Sequence, residues 1–298
     1  MGILPLWAAL VVAASTLLVV RNASQRELTA QLGLWGATYT RFLYGWPFAL
    51  IWLAGIVAWR APHASDWGGP DVSFALWVTL GAAGQAAATA GFVFAMRTRA
   101  FAVATAFTKT EALGSALVGM VLIHDVISTA DWIGGAIGSL GIVLMAHMSL
   151  NRAALHAAIG GSAAGALFAV SSVAYRAATQ AWGGDPWVAA AMTLSVTLII
   201  QTLVGMALMF AFARASLMLM FQEWRPCLVP GAAGAISSAL LFAALSIGPS
   251  TGAVKSVQLV DVVFAWGISR RLFREHIRWG ETAGIALVIA GAAVVALL

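Results

Sequence analysis

Two lysines, two carboxylates and an amide stand where an apolar chain has least use for them. Lys109 and Glu111 lie in the middle of residues 100–122, and Lys255, Gln258 and Asp261 lie in a second apolar stretch, residues 250–271. Each stretch is long enough to cross a bilayer as a helix. A charge at the centre of such a helix costs about 2.5 to 3.5 kcal/mol on insertion scales. It is kept only where it faces a partner or a wet cavity.

On a continuous helix, Lys109 and Glu111 point about 200° apart, so they do not pair with each other. Thr108, Glu111 and Ser115 then form one polar stripe, and Thr105 and Lys109 another. Lys255, Gln258 and Asp261 step by three and make one polar face. Two readings of this set stand side by side. In one, Lys109 and Glu111 neutralise charges on neighbouring helices and fix the packing. In the other, the lysines bind an anionic group while Glu111 or Asp261 takes protons or a substrate amine. Arg41, in residues 34–58, either joins that cavity or extends its charge to the headgroups. Pro47, close behind it, is expected to kink the helix.

The elements that must position these residues follow from composition. Of 298 residues, 61% are hydrophobic and 9% charged, against about 25% charged in ordinary soluble domains. Apolar runs recur from end to end, which gives an all-α membrane protein with no room for a soluble domain. We expect ten transmembrane helices, over residues 3–20, 34–58, 72–96, 100–122, 131–149, 157–179, 187–212, 228–247, 250–271 and 280–297. Trp35, Trp59, Trp77, Trp132, Trp187, Trp224 and Trp279 fall near their ends, where an indole prefers the headgroup layer. Gln85 and Gln201 suit interhelical hydrogen bonds, and the glycine series Gly134, Gly138 and Gly141 suits close helix packing.

The chain also repeats itself. A shift of 150 residues lays Gly81-Ala82-Ala83-Gly84 on Gly231-Ala232-Ala233-Gly234, and Gly134 and Gly141 on Gly284 and Gly291. The same shift lays Glu111 on Asp261, Asp125 on Glu275 and Asp131 on Glu281. Residues 1–150 and 151–298 thus form two five-helix units, and an odd number of spans inverts the second. Arg21, Arg26, Arg97, Arg99, Arg152, Arg214, Arg225, Arg270, Arg271, Arg274 and Arg278 all fall on one side of this arrangement. Arg60 and Arg176 fall on the other. The positive-inside rule therefore places both termini in the periplasm.

Several classes of function lose support. The net charge of +5 sits mostly on loop arginines and reads as orientation, so no nucleic-acid partner is expected. Cys227 is the lone cysteine, and no histidine makes an i, i+4 pair, so neither a metal nor a cofactor is expected. No acidic or histidine cluster suited to a membrane-embedded enzyme occurs, so the chain is not expected to be an enzyme. The loop acids Asp125, Asp131, Glu275 and Glu281 read as helix caps.

Arg41-Phe42 in the second span, Gly119 to Asp125 leading to Gly134 and Gly141, and Arg271 to Glu275 leading to Gly284 and Gly291 together resemble the drug/metabolite transporter superfamily, EamA type. The resemblance covers essentially the whole chain. It implies a secondary transporter of the bacterial inner membrane with a central cavity lined by spans one, three, four, six, eight and nine. It also implies termini in the cytoplasm, opposite to the arginine count. Lys109 and Lys255 resemble the phosphate-binding lysines of organellar sugar-phosphate translocators in that superfamily. The expected cargo is a small polar, carboxylate-bearing metabolite, an amino acid or organic acid, moved by alternating access. Lys109, Lys255 and Arg41 would hold it, Gln258 would share the polar face, and Glu111 or Asp261 would couple to protons. The alternatives are efflux of amphiphilic cations, with Glu111 and Asp261 as the binding acids, and a lipid flippase. Ten spans suffice for a site in a monomer; a homodimer is equally compatible.

Overall fold

The computed structural model describes residues 4–63, 65–95, 107–145, 152–265, 267 and 279–298. Among these the chain is helical, without a strand. The helices are α1 (Leu6–Leu43), α2 (Trp46–Arg60), α3 (Val72–Ala95), α4 (Glu111–Ile123), α5 (Thr129–Met145), α6 (Arg152–Trp182), α7 (Pro186–Phe212), α8 (Arg214–Gln222), α9 (Trp224–Ile247), α10 (Thr251–Gln258) and α11 (Trp279–Leu297). Ile51, Leu76, Val121 and Phe212 are all more than half exposed, a distribution that suits lipid and not water. Among the described residues, six stretches are long and apolar enough to cross a membrane: Leu6–Gln25, Glu27–Arg60, Val72–Phe92, Ala158–Trp182, Pro186–Phe212 and Trp224–Ile247. The chain is an all-α, membrane-embedded protein.

These six coincide with six of the ten expected spans. Residues 131–149 and 280–297 contain shorter apolar helices, and residues 100–122 and 250–271 contain interrupted ones. Parts of three of these four stretches lie outside the described residues. So do Thr105 and Glu275, and also Arg97, Arg99, Arg270, Arg271, Arg274 and Arg278, which carry much of the orientation argument.

Local chemistry explains several helix ends. The polar run Arg21 to Glu27, expected as a loop, is instead helical and part of α1. The chain departs from the helix only at Gly33, at φ 68° and ψ 172°, a conformation that suits a residue without Cβ. Gln25 Nε2 donates to the carbonyls of Ala37 and Thr38 at 2.9 and 3.1 Å. A straight helix would hold those groups about 18 Å apart, so the chain folds back at Gly33. Pro47 lacks an N–H and would strike the carbonyl of Leu43 in a continuing helix. Accordingly α1 stops at Leu43, and Pro47 lies in the first turn of α2. Asp185 caps α7 by accepting from the N–H groups of Trp187 and Val188, with Pro186 at the position that needs no donor.

The chain forms two compact units, each drawing on both sequence halves. Residues 1–12, 83–174 and 248–298 make one, and residues 13–82 and 175–247 the other. In the second, α2, α7 and α9 pack on one another. Tyr39 and Tyr44 donate their hydroxyls to the carbonyls of Thr202 and Met220, at 2.5 and 2.8 Å. Gln201 reaches the Ala82 carbonyl and the Tyr175 hydroxyl, the interhelical role expected of it. Arg60 pairs with Asp185 at 2.6 Å.

In the first unit, α5 and α11 pack closely through glycines. A Cβ on Gly134 would fall 2.5 Å from the carbonyl oxygen of Gly291, and one on Gly141 2.5 Å from that of Gly284. These contacts are reciprocal in the numbering: Gly134 and Gly284 differ by 150 residues, as do Gly141 and Gly291. By contrast, a Cβ on Gly55 in α2 would meet nothing within 4 Å. Gly141→Ala should therefore destabilise the protein by about 2 kcal/mol through overpacking. Gly55→Ala should stabilise it by about 1 kcal/mol through helix propensity. Thermal unfolding of the two variants in detergent should move in opposite directions, and equal shifts would contradict the packing described.

Candidate functional site

The charged residues of the first unit meet where two helices are interrupted. Residues 107–108 are helical, 109–110 form a turn, and α4 begins at Glu111. Glu111 thus opens a helix instead of sitting in the middle of one, which corrects the expectation of an unbroken helix through residues 100–122. The N–H of Thr110 donates to the Phe107 carbonyl and that of Ala112 to the Lys109 carbonyl, the tighter i to i−3 pattern of a 3₁₀ turn. Thr110 Oγ1 also donates to the Phe107 carbonyl, at 2.7 Å. A local side-chain bond of this kind competes with the regular helix ladder.

A second interruption lies 150 residues on. After α10, Leu259 and Val260 form a turn, and residues 261–265 are helical again. Leu259, Val260, Val262 and Val263 all donate to carbonyls three residues back. Asp261 follows this turn as Glu111 follows the other.

Charge pairing crosses between the two segments. Lys109 Nζ pairs with Asp261 Oδ2, and Lys255 Nζ pairs with Glu111 Oε1 at 2.8 Å. Lys109 and Glu111 therefore bond to α10 and its extension, not to each other, as their spacing required. Lys255 also donates to Gln258 Oε1 at 3.0 Å. Glu111 Oε1 accepts a further bond from Ser172 Oγ on α6, at 3.0 Å. Five of the six candidate residues, Lys109, Glu111, Lys255, Gln258 and Asp261, thus form one network.

The two pairs differ in how firmly they are held. Glu111 and Lys255 are braced by Ser172 and Gln258. Asp261 bonds to Lys109 through Oδ2, and its Oδ1 is buried with no hydrogen-bond partner among the described residues. Side-chain exposure is 23% for Lys109 and 7% for Asp261, so the cation is the accessible member of the looser pair.

The ends of the interrupted segments are fixed by the loop acids. Asp125 Oδ2 accepts from both the N–H and the hydroxyl of Thr251 at 2.8 Å, so Asp125 caps α10 across space. His124 adopts a left-handed conformation at φ 55°, and Asp125 N donates back to the Gly119 carbonyl at 3.1 Å. The His124 N–H donates to the same carbonyl, so α4 closes through a left-handed residue. Asp131 and Ser128 exchange bonds as a capping box for α5, and Asp131 also accepts from Ser250. Both acids therefore act as helix caps, the role expected of them. Close approach of α6 to the first interruption depends on Gly165, where a Cβ would lie 2.7 Å from the Thr108 carbonyl oxygen.

None of these bonds among the described residues is made by Arg41. It belongs to the other compact unit, in the last turn of α1. There its guanidinium carbon lies 4.3 Å from the Phe42 ring centroid. Ser172 was missed by the sequence reading; it is one of many small hydroxyls, and its neighbour Ser171 is equally buried.

No family model and no curated protein matches this chain. Solved structures do match. One, described simply as a crystal structure of a protein, superposes with a TM-score of 0.68 at 15% identity, covering 98% of this chain and 96% of its own. That likeness establishes a shared fold over nearly the whole length.

Removing one member of a buried ion pair strands the other charge, at a cost of about 3 kcal/mol. Glu111→Gln and Lys255→Met should each destabilise by about that amount. The double variant should be well short of the sum, which a double-mutant cycle of unfolding in detergent would measure. Additive losses would mean that the two side chains do not interact.

Proposed function

We propose that this protein is a secondary transporter of the bacterial inner membrane. Its cargo is a small polar metabolite bearing a carboxylate, an amino acid or organic acid, moved by alternating access. The observation that carries this reading is the network of Lys109, Glu111, Lys255 and Asp261, assembled at two interrupted helices within one compact unit. Interrupted helices with intramembrane charges are how transporters place polar groups at membrane depth. A purely structural membrane partner has little use for two lysines and two acids in so small a space.

The sign of the cargo follows from the looser pair. A cation carrier must offer an acid to its cargo, yet Glu111 is tied to both Lys255 and Ser172. Asp261 is the buried member of its own pair, and Lys109 the exposed one. Glu111, at 18% exposure, is nearly as accessible as Lys109 at 23% but is held by two partners, so the group most readily released to a solute is the Lys109 ammonium, which selects an anion. A heavily solvated carboxylate gains most from such a partner once water is excluded.

The repeat belongs to the same proposal. Glycine contacts that exchange under a shift of 150 residues are what a pseudo-twofold axis produces, and the two interruptions obey the same shift. Two inverted five-helix repeats, residues 1–150 and 151–298, would give ten spans and a site with two related halves. This is also the architecture of the drug/metabolite transporters, EamA type, that the sequence resembles. The excess of arginines on one side supports periplasmic termini.

Uptake into proteoliposomes tests the proposal, with alanine, glutamate, lactate and succinate as labelled solutes. At least one should accumulate, and Lys109→Ala should reduce its uptake at least tenfold while the variant remains folded in detergent. Failure of all four acids to move, or full uptake by folded Lys109→Ala, would overturn it.

A further inference from the structure

The two ion pairs are unequal in a way that assigns them different tasks. Glu111–Lys255 is cross-braced: Ser172 donates to the same carboxylate oxygen, and Gln258 accepts from the same ammonium group. Displacing either member breaks more than one bond. Lys109–Asp261 is a single contact, with the lysine partly exposed and the aspartate enclosed. The second oxygen of Asp261 is buried and has no hydrogen-bond partner among the described residues.

Resting on the transport reading above, we propose that the cargo carboxylate displaces Asp261 from Lys109, and that Asp261 takes up one proton as it is displaced. The charges require this. With Lys109 bound to the cargo, an ionised Asp261 would be a buried carboxylate without its counter-ion, while Lys255 is already engaged by Glu111. Such a group neutralises by protonation sooner than it remains charged in an apolar surrounding. The charged groups acting on Asp261 are Lys109, Glu111 and Lys255. Of the helices packed against α10, α5 carries only Asp131, which is tied to Ser128 and Ser250, and α11 carries only Glu281 in its first turn.

The step balances. One monoanionic carboxylate and one proton enter from the same solution, the carboxylate accepting from the Lys109 ammonium and the proton binding an Asp261 oxygen. No bond within the cargo changes, and the loaded site has the same net charge as the empty one. For a monoanion such as lactate or glutamate, transport is therefore electroneutral symport with one proton per solute; zwitterionic alanine would carry one positive charge with it, and dianionic succinate one negative charge. Glu111 keeps Lys255 throughout and is the positioning residue of the pair.

Proteoliposomes enclosing a pH-sensitive dye test this with whichever of alanine, glutamate, lactate or succinate is taken up. Native protein should acidify the lumen as the solute enters, and a valinomycin-clamped potential should not change the rate for a monoanion. Asp261→Asn should take up the solute without acidification and lose the dependence of uptake on an imposed pH gradient. Infrared difference spectra of the native protein, with ¹³C-carboxyl-labelled solute, keep the proposal decidable if that variant fails to fold. Solute addition should produce a carboxylic-acid C=O band that belongs to the protein. Solute uptake without proton movement, acidification that persists in Asp261→Asn, or absence of that band would overturn the exchange yet leave transport intact. If no acid moves at all, the transport reading fails and this one falls with it.

Discussion

Charges enclosed among apolar helices are tolerable only as pairs, and much of this compact unit is arranged so that the pairs can form. An unpaired ammonium or carboxylate there would cost several kcal/mol. The interruption before α4 and the one after α10 each place a carboxylate at the start of a helical segment. A lysine from the opposite segment reaches each of them. Gly165 allows α6 to come close enough for Ser172 to share the load. Sequence, backbone geometry and electrostatics are thus consistent at one place.

The charged residues were legible because charge inside an apolar run is rare and has few bland explanations. Stepping by three also grouped Gln258 with Lys255 and Asp261. The interruptions were not legible. Thr108-Lys109-Thr110 and Leu259-Val260 contain neither proline nor glycine, and a helical wheel presumes the regularity that is lost there. The polar run Arg21 to Glu27 misled for a related reason. Its polarity resembles a loop, but arginine, glutamine and glutamate are good helix formers, and the first residue that cannot continue the helix cheaply is Gly33. Two expected spans, residues 100–122 and 250–271, are broken by the turns at 109–110 and 259–260. Hydropathy alone does not register an interruption within an apolar segment.

Arg41 illustrates another limit. A lone arginine in an apolar helix advertises itself, but nothing in the sequence says which set of helices it joins. The sequence repeat and the contact-defined units are different kinds of division. The repeat follows chain order, whereas each compact unit combines segments from both halves. Distance along the chain therefore does not decide membership: Arg41, 68 residues before Lys109, lies in the other unit, and Ser172, 61 residues after Glu111, joins the network.

The double service of Asp125 has a mechanical meaning. It closes the end of α4 and, through Thr251, holds the beginning of α10. The charge network joins the other ends of the same two segments. Together these fastenings make α4 and α10 a clamp riveted at both ends. Exchange of a single ion pair leaves the Asp125 rivet and the Glu111–Lys255 bond in place. On the exchange proposed above, the clamp would be a fixed anvil: large displacements would belong to the elements around it, and its own part would be to stay still while one proton and one bond change hands.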